Sequence, residues 1–307
     1  MGHLSSQSKR GYKLILLASI LYGSYGVWSR LMGPYFAPFY QTYVRSFVII
    51  LLMAPILYWT GSFRKILRKD WLPLGVFITF CICTQVPLYF AFNHAPIGVV
   101  QFIFYALFII SAYVMGKFYL AENITKIKLI SMAIALSGLV LVFGISSISF
   151  AVLGLALAAF NGIASGSENT SSKKLTNTYP PGLIIFWGWV ATLITHLPIS
   201  MLLHEPQPLP SLSMPWVYLF VYCVVNAAAF WIGLEGFKHV DASIGSVIGL
   251  TEVLFAAVFG YLIFHEHFAW TVGAGGVLII VAAMLPDAVN ILKHKHPDKP
   301  IEPIMNQ

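Results

Sequence analysis

Charged residues are scarce along this chain, and most of them lie in short gaps between long apolar runs. They make up 9% of the sequence, whereas hydrophobic residues make up 58%. A soluble domain carries roughly 25% charged residues. Because this chain cannot cover its surface with polar groups, its solvent must be lipid. The sequence therefore predicts an integral membrane protein in contact with the lipid bilayer.

Ten apolar runs are long enough to cross a bilayer as helices, which takes about 20 residues each. Every run far exceeds the ~10 residues of a membrane β-strand, so we predict an all-α fold. The predicted spans are 12–31, 40–59, 72–92, 97–118, 126–145, 149–170, 182–203, 215–237, 242–264 and 269–289.

The basic residues predict the orientation of these spans, because Lys and Arg concentrate in cytoplasmic loops. With the N-terminus inside, all of the 18 Lys and Arg residues except Arg30 and Arg45 fall in cytoplasmic segments. Both termini are then cytoplasmic, and the short loops favour a bacterial inner membrane. The net charge of +7 is spread over loops instead of one folded face, so no nucleic-acid partner is expected.

The two halves of the chain resemble each other. Residues 95–100 (Ala-Pro-Ile-Gly-Val-Val) match residues 242–247 (Ala-Ser-Ile-Gly-Ser-Val), and each stretch opens a span. Because five spans separate the copies, the second copy must enter the membrane with the opposite sense. Inverted repeats are a recurrent feature of secondary transporters. Further matches pair Ala112 with Ala256, Gly116 with Gly260 and Glu122 with Glu266.

These features resemble the drug/metabolite transporter superfamily of EamA type. The similar stretches are 107–122 and 250–266, each an apolar helix that ends in an acidic residue, and the second-half signature at 246–260. That family often places proline after the glutamate within this signature. Here Val253 follows Glu252, which argues against a kink in the ninth span.

The resemblance implies ten transmembrane helices arranged as two inverted five-helix repeats around a central cavity. We expect the first repeat at 1–146, the second at 147–290 and a cytoplasmic tail at 291–307. We expect the first, third, fourth, sixth, eighth and ninth spans to line the cavity.

An ionisable residue at the centre of a membrane costs at least ~2.5–3.5 kcal/mol, so one that persists should face the bundle interior. Glu252 lies near the middle of the ninth span, on one stripe with Gly245, Gly249 and Ala256. Its carboxyl group either couples transport to protons or cations, or makes a structural helix–helix hydrogen bond. The equivalent position of the first half is near Tyr105.

Two further ionisable residues are candidates for coupling or gating. Arg45, one turn into the second span, binds a substrate carboxylate, pairs with an acid or extends to the outer surface. Glu168 continues a polar stripe of the sixth span that begins at Asn161 and Ser165. It is either a coupling residue or part of a solvated inner end beside two lysines.

Aromatic and amide side chains inside the predicted spans suit a small organic solute, aromatic or amino acid-like. Tyr and Trp also form belts at membrane interfaces, which is the alternative for the aromatic residues. The predicted substrate-binding residues are Tyr22, Gln85, Tyr89, Gln101, Tyr105, Asn161, Asn226 and Trp231.

The sequence contains no nucleophile elbow, zinc-protease motif or nucleotide-binding loop. Its three cysteines lie inside predicted spans and form no metal-binding pattern, so we predict no cofactor, no metal and no enzymatic activity. The predicted function is secondary active export or exchange of small organic metabolites, with proton coupling as an option. A non-transporting scaffold or receptor and an intramembrane enzyme are the alternatives.

Overall fold

The computed structural model describes residues 6–95, 97–143, 152–265 and 269–295, and every regular element within them is helical. The α-helices are α1 (Ser6–Gly23), α2 (Tyr25–Met32), α3 (Pro38–Trp59), α4 (Trp71–Cys83), α5 (Pro87–His94), α6 (Ile97–Tyr119), α7 (Lys126–Phe143), α8 (Val152–Thr176), α9 (Pro181–Leu202), α10 (Met214–Phe237), α11 (Ala242–Gly249), α12 (Thr251–Phe264) and α13 (Trp270–Lys295).

These helices follow the ten predicted spans and confirm an all-helical membrane fold. Within the described ranges, 8 helical segments are long and apolar enough to cross a membrane. The tenth predicted span contributes a shorter apolar helix, Trp270–Pro286. The sixth forms α8, whose C-terminal half is rich in serine, threonine and charged residues. The number ten is therefore approximate. The predicted boundary between the repeats, together with Pro96, Glu266 and the tail beyond Lys295, lies outside the described residues.

The helix pairing follows the relation between the two halves. The first span packs against the eighth, as α1 and α2 against α10, and the third against the sixth, as α4 and α5 against α8. The first span corresponds to the sixth and the third to the eighth. Replacing each span by its counterpart therefore turns one pairing into the other. Two other close pairs, α3 with α9 and α7 with α13, each join counterparts directly. The contacts therefore fit two repeats related by a pseudo-twofold axis.

The helices α3 and α9 show the same relation in their proline positions. Both are 22 residues long, and each begins at a proline, Pro38 or Pro181. Each also holds a second proline at the same distance from its end, Pro55 or Pro198. Proline is tolerated at the start of a helix but removes a backbone hydrogen bond from its interior. The shared pattern indicates that the two helices are structural counterparts.

Two large apolar cores hold the described helices together, and each draws on both repeats. The first joins α3 and α4 to α9 and α10, and the second joins α6 and α7 to α11, α12 and α13. The repeats therefore interlock. Fully buried members of the first core are Ile49, Phe77, Leu183 and Leu219. Fully buried members of the second are Ile109, Leu139, Val247 and Ile279.

The polar helix α8 is held between α6 on one side and α4 and α5 on the other. Gly162 and Gly166 lie so close to the backbone of α6 that a Cβ at either position would overlap the carbonyl of Phe104 or Phe108. Small residues of this kind let membrane helices approach closely. Close packing thus places the polar stripe of α8 inside the bundle.

In the described part of the chain, three of the spans are interrupted within the bundle. The interruptions lie at Ser24 in the first span, at 84–86 in the third and at Leu250 in the ninth. Pro87 explains the second, because proline has no backbone N–H and is favoured at the first position of a new helix.

The interruption at Leu250 has a different local cause, since no proline follows Glu252. Gly249 has low helix propensity. The hydroxyl of Thr251 donates a 2.8 Å hydrogen bond to the carbonyl of Ile248, so it competes for backbone bonding in this turn. The ninth span is thus divided at Leu250 without the proline that the family often places after the glutamate, although the backbone of Leu250 itself stays in the helical region.

Candidate functional site

The interruptions carry the polar groups that lie in the middle of the bundle. Gln85 lies between α4 and α5, Tyr25 begins α2, and Glu252 is the second residue of α12. Discontinuous helices at the midplane are a recurrent way to build solute and ion sites in transporters. We define the mid-bundle site as these three residues together with Tyr22, Arg45, Thr84, Tyr105, Asn161, Glu168, Trp189 and Tyr222.

Arg45 is buried on α3, and its guanidinium contacts neutral groups. Nη1 donates to the hydroxyl of Tyr222 at 3.1 Å, and Nη2 donates to Oε1 of Gln85 at 2.6 Å. The aromatic rings of Trp189 and Tyr222 each lie 5.2 Å from its central carbon. Among the described residues, no carboxylate lies within ion-pair distance of Arg45. The guanidinium charge is therefore held by dipoles and aromatic rings.

Asn161 and Glu168 join the same site from α8. The side-chain amide of Asn161 donates a 2.8 Å hydrogen bond to the carbonyl of Thr84, in the interruption of the third span. Gln85 contacts the hydroxyl of Thr84 at 3.0 Å. The carboxyl group of Glu168 lies beside the Thr84 hydroxyl and the Cys81 thiol. The interruption at 84–86 therefore connects Arg45, through Gln85 and Thr84, to Asn161 and Glu168 of α8.

Glu168 is only 9% exposed, which does not fit the solvated inner end that the sequence left open. The two neighbouring lysines, Lys173 and Lys174, contact other residues. Lys173 binds Glu122, and the ammonium of Lys174 lies 4.5 Å from the centre of the Tyr119 ring. Glu168 is thus a buried carboxyl group without a cationic partner among the described residues.

Glu252 meets Tyr105, its predicted counterpart in the first repeat. The carboxyl group lies beside the phenol hydroxyl, and α11, the helix before Glu252, packs against α6. A Cβ at Gly249, one turn before Glu252, would find open space around it. The two repeats therefore bring equivalent positions together, one acidic and one phenolic, next to an unfilled region.

Two tyrosines of the first span connect Arg45 to the two acids. The ring of Tyr25 lies 4.9 Å from that of Tyr222 and 5.2 Å from that of Tyr22. Tyr22 in turn lies within electrostatic range of both Glu168 and Glu252. The ring contacts therefore extend from Arg45 through Tyr222 and Tyr25 to Tyr22, which lies within electrostatic range of both acids.

The other predicted substrate-binding residues occupy different surroundings. Gln101 is half-buried one turn before Tyr105 on α6. Asn226 is buried one turn after Tyr222 on α10. Trp231 packs its ring against the backbone of Gly182. Tyr89 is 45% exposed on α5 and is not brought to the mid-bundle site.

Sequence reasoning missed several members of the site, above all Trp189, Tyr222 and Thr84. Each belongs to an apolar helix or its end, where single aromatic or hydroxyl residues are common. Tyr222 precedes Asn226 by one helical turn, and this spacing was the available signal. Thr84 could have been recognised from Pro87, because a proline predicts a helix boundary in the residues just before it, and Thr84 lies there.

A second polar group, at one end of the bundle, joins the two repeats. The carboxylate of Glu122, in the loop after α6, accepts hydrogen bonds from the backbone N–H groups of Ala242 at 2.6 Å and Ser243 at 3.3 Å. The first N–H groups of a helix have no partners within it. Glu122 from the first repeat therefore caps α11 of the second.

Two lysines complete this group with short ion pairs. Lys173 contacts Glu122 at 3.0 Å, and Lys128 contacts Asp241 at 2.6 Å. Lys128 also donates to the carbonyl of Asn123 at 2.9 Å. We call Glu122, Lys128, Lys173 and Asp241 the paired cluster, because each charge in it faces an opposite charge.

The described residues hold no group of three His, Cys, Asp or Glu side chains placed to bind a metal ion. The mid-bundle site instead offers hydrogen-bond donors and acceptors, aromatic faces, one guanidinium and two carboxyl groups. Such a set can bind an organic solute and exchange protons through its carboxyl groups.

Comparison with known proteins agrees with this arrangement. The protein PecM of Dickeya dadantii (strain 3937) is 22% identical over 256 residues, which cover 83% of this chain and 84% of PecM. A solved crystal structure shares the fold with a TM-score of 0.76 at 15% identity, and the match covers 94% of this chain and 100% of that one. The sequence matches the EamA-like transporter family twice, over residues 9–144 and 152–285. The chain therefore belongs to the EamA-like transporter family of membrane proteins.

Proposed function

We propose that this protein is a secondary active transporter that exports or exchanges small organic metabolites by alternating access. Family membership supports a transport role. Two inverted repeats of equal architecture provide a physical basis for alternating access, because they can exchange conformations and so open the same site to either side.

One observation carries the proposal. Three interrupted spans, two from the first repeat and one from the second, each bring a polar residue to one buried site. The equivalent positions Tyr105 and Glu252 meet there. A helix interruption frees backbone groups at membrane depth and is tolerated where it lines a site or is covered by protein. Because three such interruptions lie around one site, they support the proposal that this site is part of a solute pathway.

We propose Glu252 as the proton-coupling group. Ionisable groups inside a transmembrane bundle are recurrent members of proton relays in transporters, and the carboxyl group of Glu252 can carry one proton. Tyr105 and the open region beside Gly249 offer a hydrogen-bond partner and a route for solvent. In this proposal Glu168 and Arg45 act as further coupling or gating groups.

Counterflow in proteoliposomes tests the carrier function directly. Vesicles loaded with an unlabelled solute should take up the same labelled solute transiently, because a carrier exchanges one molecule for another. The panel should hold aromatic and amino acid-like solutes, which the aromatic side chains and amides of the site favour. Absence of counterflow for every solute, in vesicles with correctly folded protein, would contradict the proposal.

Solvent access to the site is a second test. A cysteine at Gln101, in a variant without Cys81, Cys83 and Cys223, should react with a water-soluble thiol reagent. The matched control is a cysteine at Val114, which is 49% exposed on the same helix. If Val114 faces lipid, only the Gln101 position reacts. An inert cysteine at Gln101 in the presence and absence of solute would remove Gln101 from the solute pathway.

We further propose a bacterial inner-membrane location with both termini in the cytoplasm. The basic residues of the loops support this orientation. Reporter fusions after Ser62, Ser147, Thr176 and Lys295 should report inside, outside, inside and inside. A periplasmic signal from the fusion after Lys295 would contradict the orientation.

A further inference from the structure

Arg45 has donor groups that its protein partners leave unused. The residue is 8% exposed, and its guanidinium carries five N–H donors. Tyr222 and Gln85 each accept one of these donors, through Nη1 and Nη2. The Nε atom is buried and has no hydrogen-bond partner in the described part of the chain. The edge formed by Nε and a terminal nitrogen is the edge on which arginine binds a carboxylate in bidentate fashion.

The same surroundings hold two more buried donors without partners among the described residues. These are the hydroxyl of Tyr25 and the indole N–H of Trp189. The ring of Trp189 lies 5.2 Å from the guanidinium carbon of Arg45, and Tyr25 packs edge-on against Tyr222. A buried polar group without a partner is costly. Three such groups around one cation indicate a ligand that supplies acceptors.

The charge around Arg45 indicates that this ligand is an anion. No carboxylate of the described residues lies within 4 Å of the guanidinium, and its two hydrogen-bond partners are neutral. A buried cation without a counter-ion is unfavourable. A carboxylate bound beside Arg45 would compensate this charge, whereas a cationic head group at the same place would be repelled by it.

We propose that the transported solute carries a carboxylate that pairs with Arg45, and that an aromatic or similarly flat apolar body attached to it lies against Trp189, Tyr222 and Tyr25. This inference rests on the proposed carrier function and narrows its solute to one chemical class. The aromatic rings supply large apolar faces at low entropic cost, and the guanidinium fork fixes the orientation of the head group.

The test compares three probes that share one aromatic body. Phenylpropanoate, phenylpropanamide and phenethylammonium are offered in counterflow and in a thermal-shift binding assay with purified wild-type protein. We expect phenylpropanoate to exchange and to stabilise the protein, and the amide and the ammonium to do neither. This comparison needs no variant, so it does not depend on the folding of a mutant.

Two variants sharpen the assignment. Arg45→Gln should weaken phenylpropanoate binding roughly 10- to 100-fold, because it removes a charge-assisted hydrogen bond. Arg45→Lys should recover only part of this loss, since lysine keeps the charge but not the fork. The matched control is Arg30→Gln, an exposed arginine that lies over Phe264, and it should change binding less than twofold.

Several results would overturn the inference. Equal exchange of the acid, the amide and the ammonium would show that Arg45 does not select for charge. Exchange of the ammonium or the amide alone would overturn the carboxylate assignment and leave the carrier function intact. Unchanged phenylpropanoate binding in Arg45→Gln would remove Arg45 from the site. No binding or exchange of phenylpropanoate by the wild-type protein would also overturn the inference, and the wider counterflow panel then decides whether the carrier function stands.

Discussion

The paired cluster and the mid-bundle site both bury ionisable side chains, but they treat their charges differently. In the paired cluster, Glu122 and Lys173 lie 3.0 Å apart, and Lys128 and Asp241 lie 2.6 Å apart. In the mid-bundle site, Arg45 contacts neutral groups and the carboxyl group of Glu252 lies beside a phenol. The charges of the paired cluster have partners of opposite charge within the protein, whereas those of the mid-bundle site have none among the described residues.

The difference distinguishes charges that have a structural partner from charges that we propose to be functional. Glu122 connects the first repeat to the start of α11 in the second, so it has a clear role in holding the repeats together. Arg45, Glu168 and Glu252 have no opposite charge nearby among the described residues, and they persist despite the cost of burial. We therefore expect changes in the paired cluster to affect stability first, and changes in the mid-bundle site to affect transport first.

The largest expected effect is the loss of proton coupling in Glu252→Gln. Glutamine is nearly isosteric and can still bond to Tyr105, but it cannot carry a proton on and off. Proton-driven accumulation should fall to the level of empty vesicles, whereas solute exchange at equal pH should persist. The measurement is uptake with and without an imposed pH gradient.

The matched control for this experiment is Glu235→Gln, a carboxylate at the bundle end already paired with Lys238. It should leave the ratio of driven to equal-pH uptake unchanged. Normal proton-driven accumulation by a well-folded Glu252→Gln protein would end the coupling proposal and leave Glu252 as a packing or gating residue.

The next effect is a loss of stability in Glu122→Ala. This change removes the cap of α11 and the closest carboxylate of Lys173, which keeps only the carbonyl of Val240 at 2.7 Å and Asp241 at 3.9 Å. Removing one member of a buried ion pair costs about 3–5 kcal/mol. Thermal unfolding in detergent should therefore occur at a clearly lower temperature.

The double variant Glu122→Gln with Lys173→Met tests the cause of that loss. It removes both charges and keeps an acceptor near α11, so it should be more stable than Glu122→Ala. Equal instability of the two proteins would show that the cost does not come from an unpaired charge.

A smaller effect is expected for Asn161→Ala, which tests whether paired groups of the mid-bundle site behave like those of the paired cluster. Asn161 is 2% exposed, and its side-chain amide donates a hydrogen bond to the backbone carbonyl of Thr84, in the interruption of the third span. Leaving that carbonyl unpaired should cost about 1–3 kcal/mol of unfolding free energy. Ser137→Ala is the control, since that exposed hydroxyl bonds only within its own helix. If both changes have the same small effect on thermal unfolding, the Asn161 bond is not structural.

The helices could be predicted well from the sequence, because a membrane-spanning helix is recognised from the length and composition of one continuous run of residues. The sequence also singled out Arg45, Glu168 and Glu252, because an ionisable residue inside an apolar run is visible without a structure. Their partners were not predictable. Tyr222 meets Arg45 across 177 residues, a pairing that depends on how the helices pack.

The paired cluster shows the same limit. The comparison of the halves marked Glu122 as a repeated acidic position, yet it gave no sign of its partner. Ala242, whose backbone it caps, lies 120 residues further along the chain. The interruption at 84–86 could be predicted from Pro87, whereas the interruption at Ser24 could not, because no proline follows it in the first span.

The smallest expected effect is that of Lys238→Ala, which sets the lower limit of the comparison. Lys238 and Glu235 form a 2.6 Å pair one turn apart at the end of α10, and both side chains remain about a quarter exposed, at 23% and 25%. Pairs of this kind contribute about 0.2–0.5 kcal/mol, because water already solvates both charges. Arg10 lies 3.6 Å from Glu235 and keeps a cation beside it after the change. Thermal unfolding should therefore shift far less than in Glu122→Ala, although the Glu235–Lys238 distance is the shorter of the two. A shift as large as that of Glu122→Ala would mean that distance, and not burial, decides how much these ion pairs stabilise the bundle.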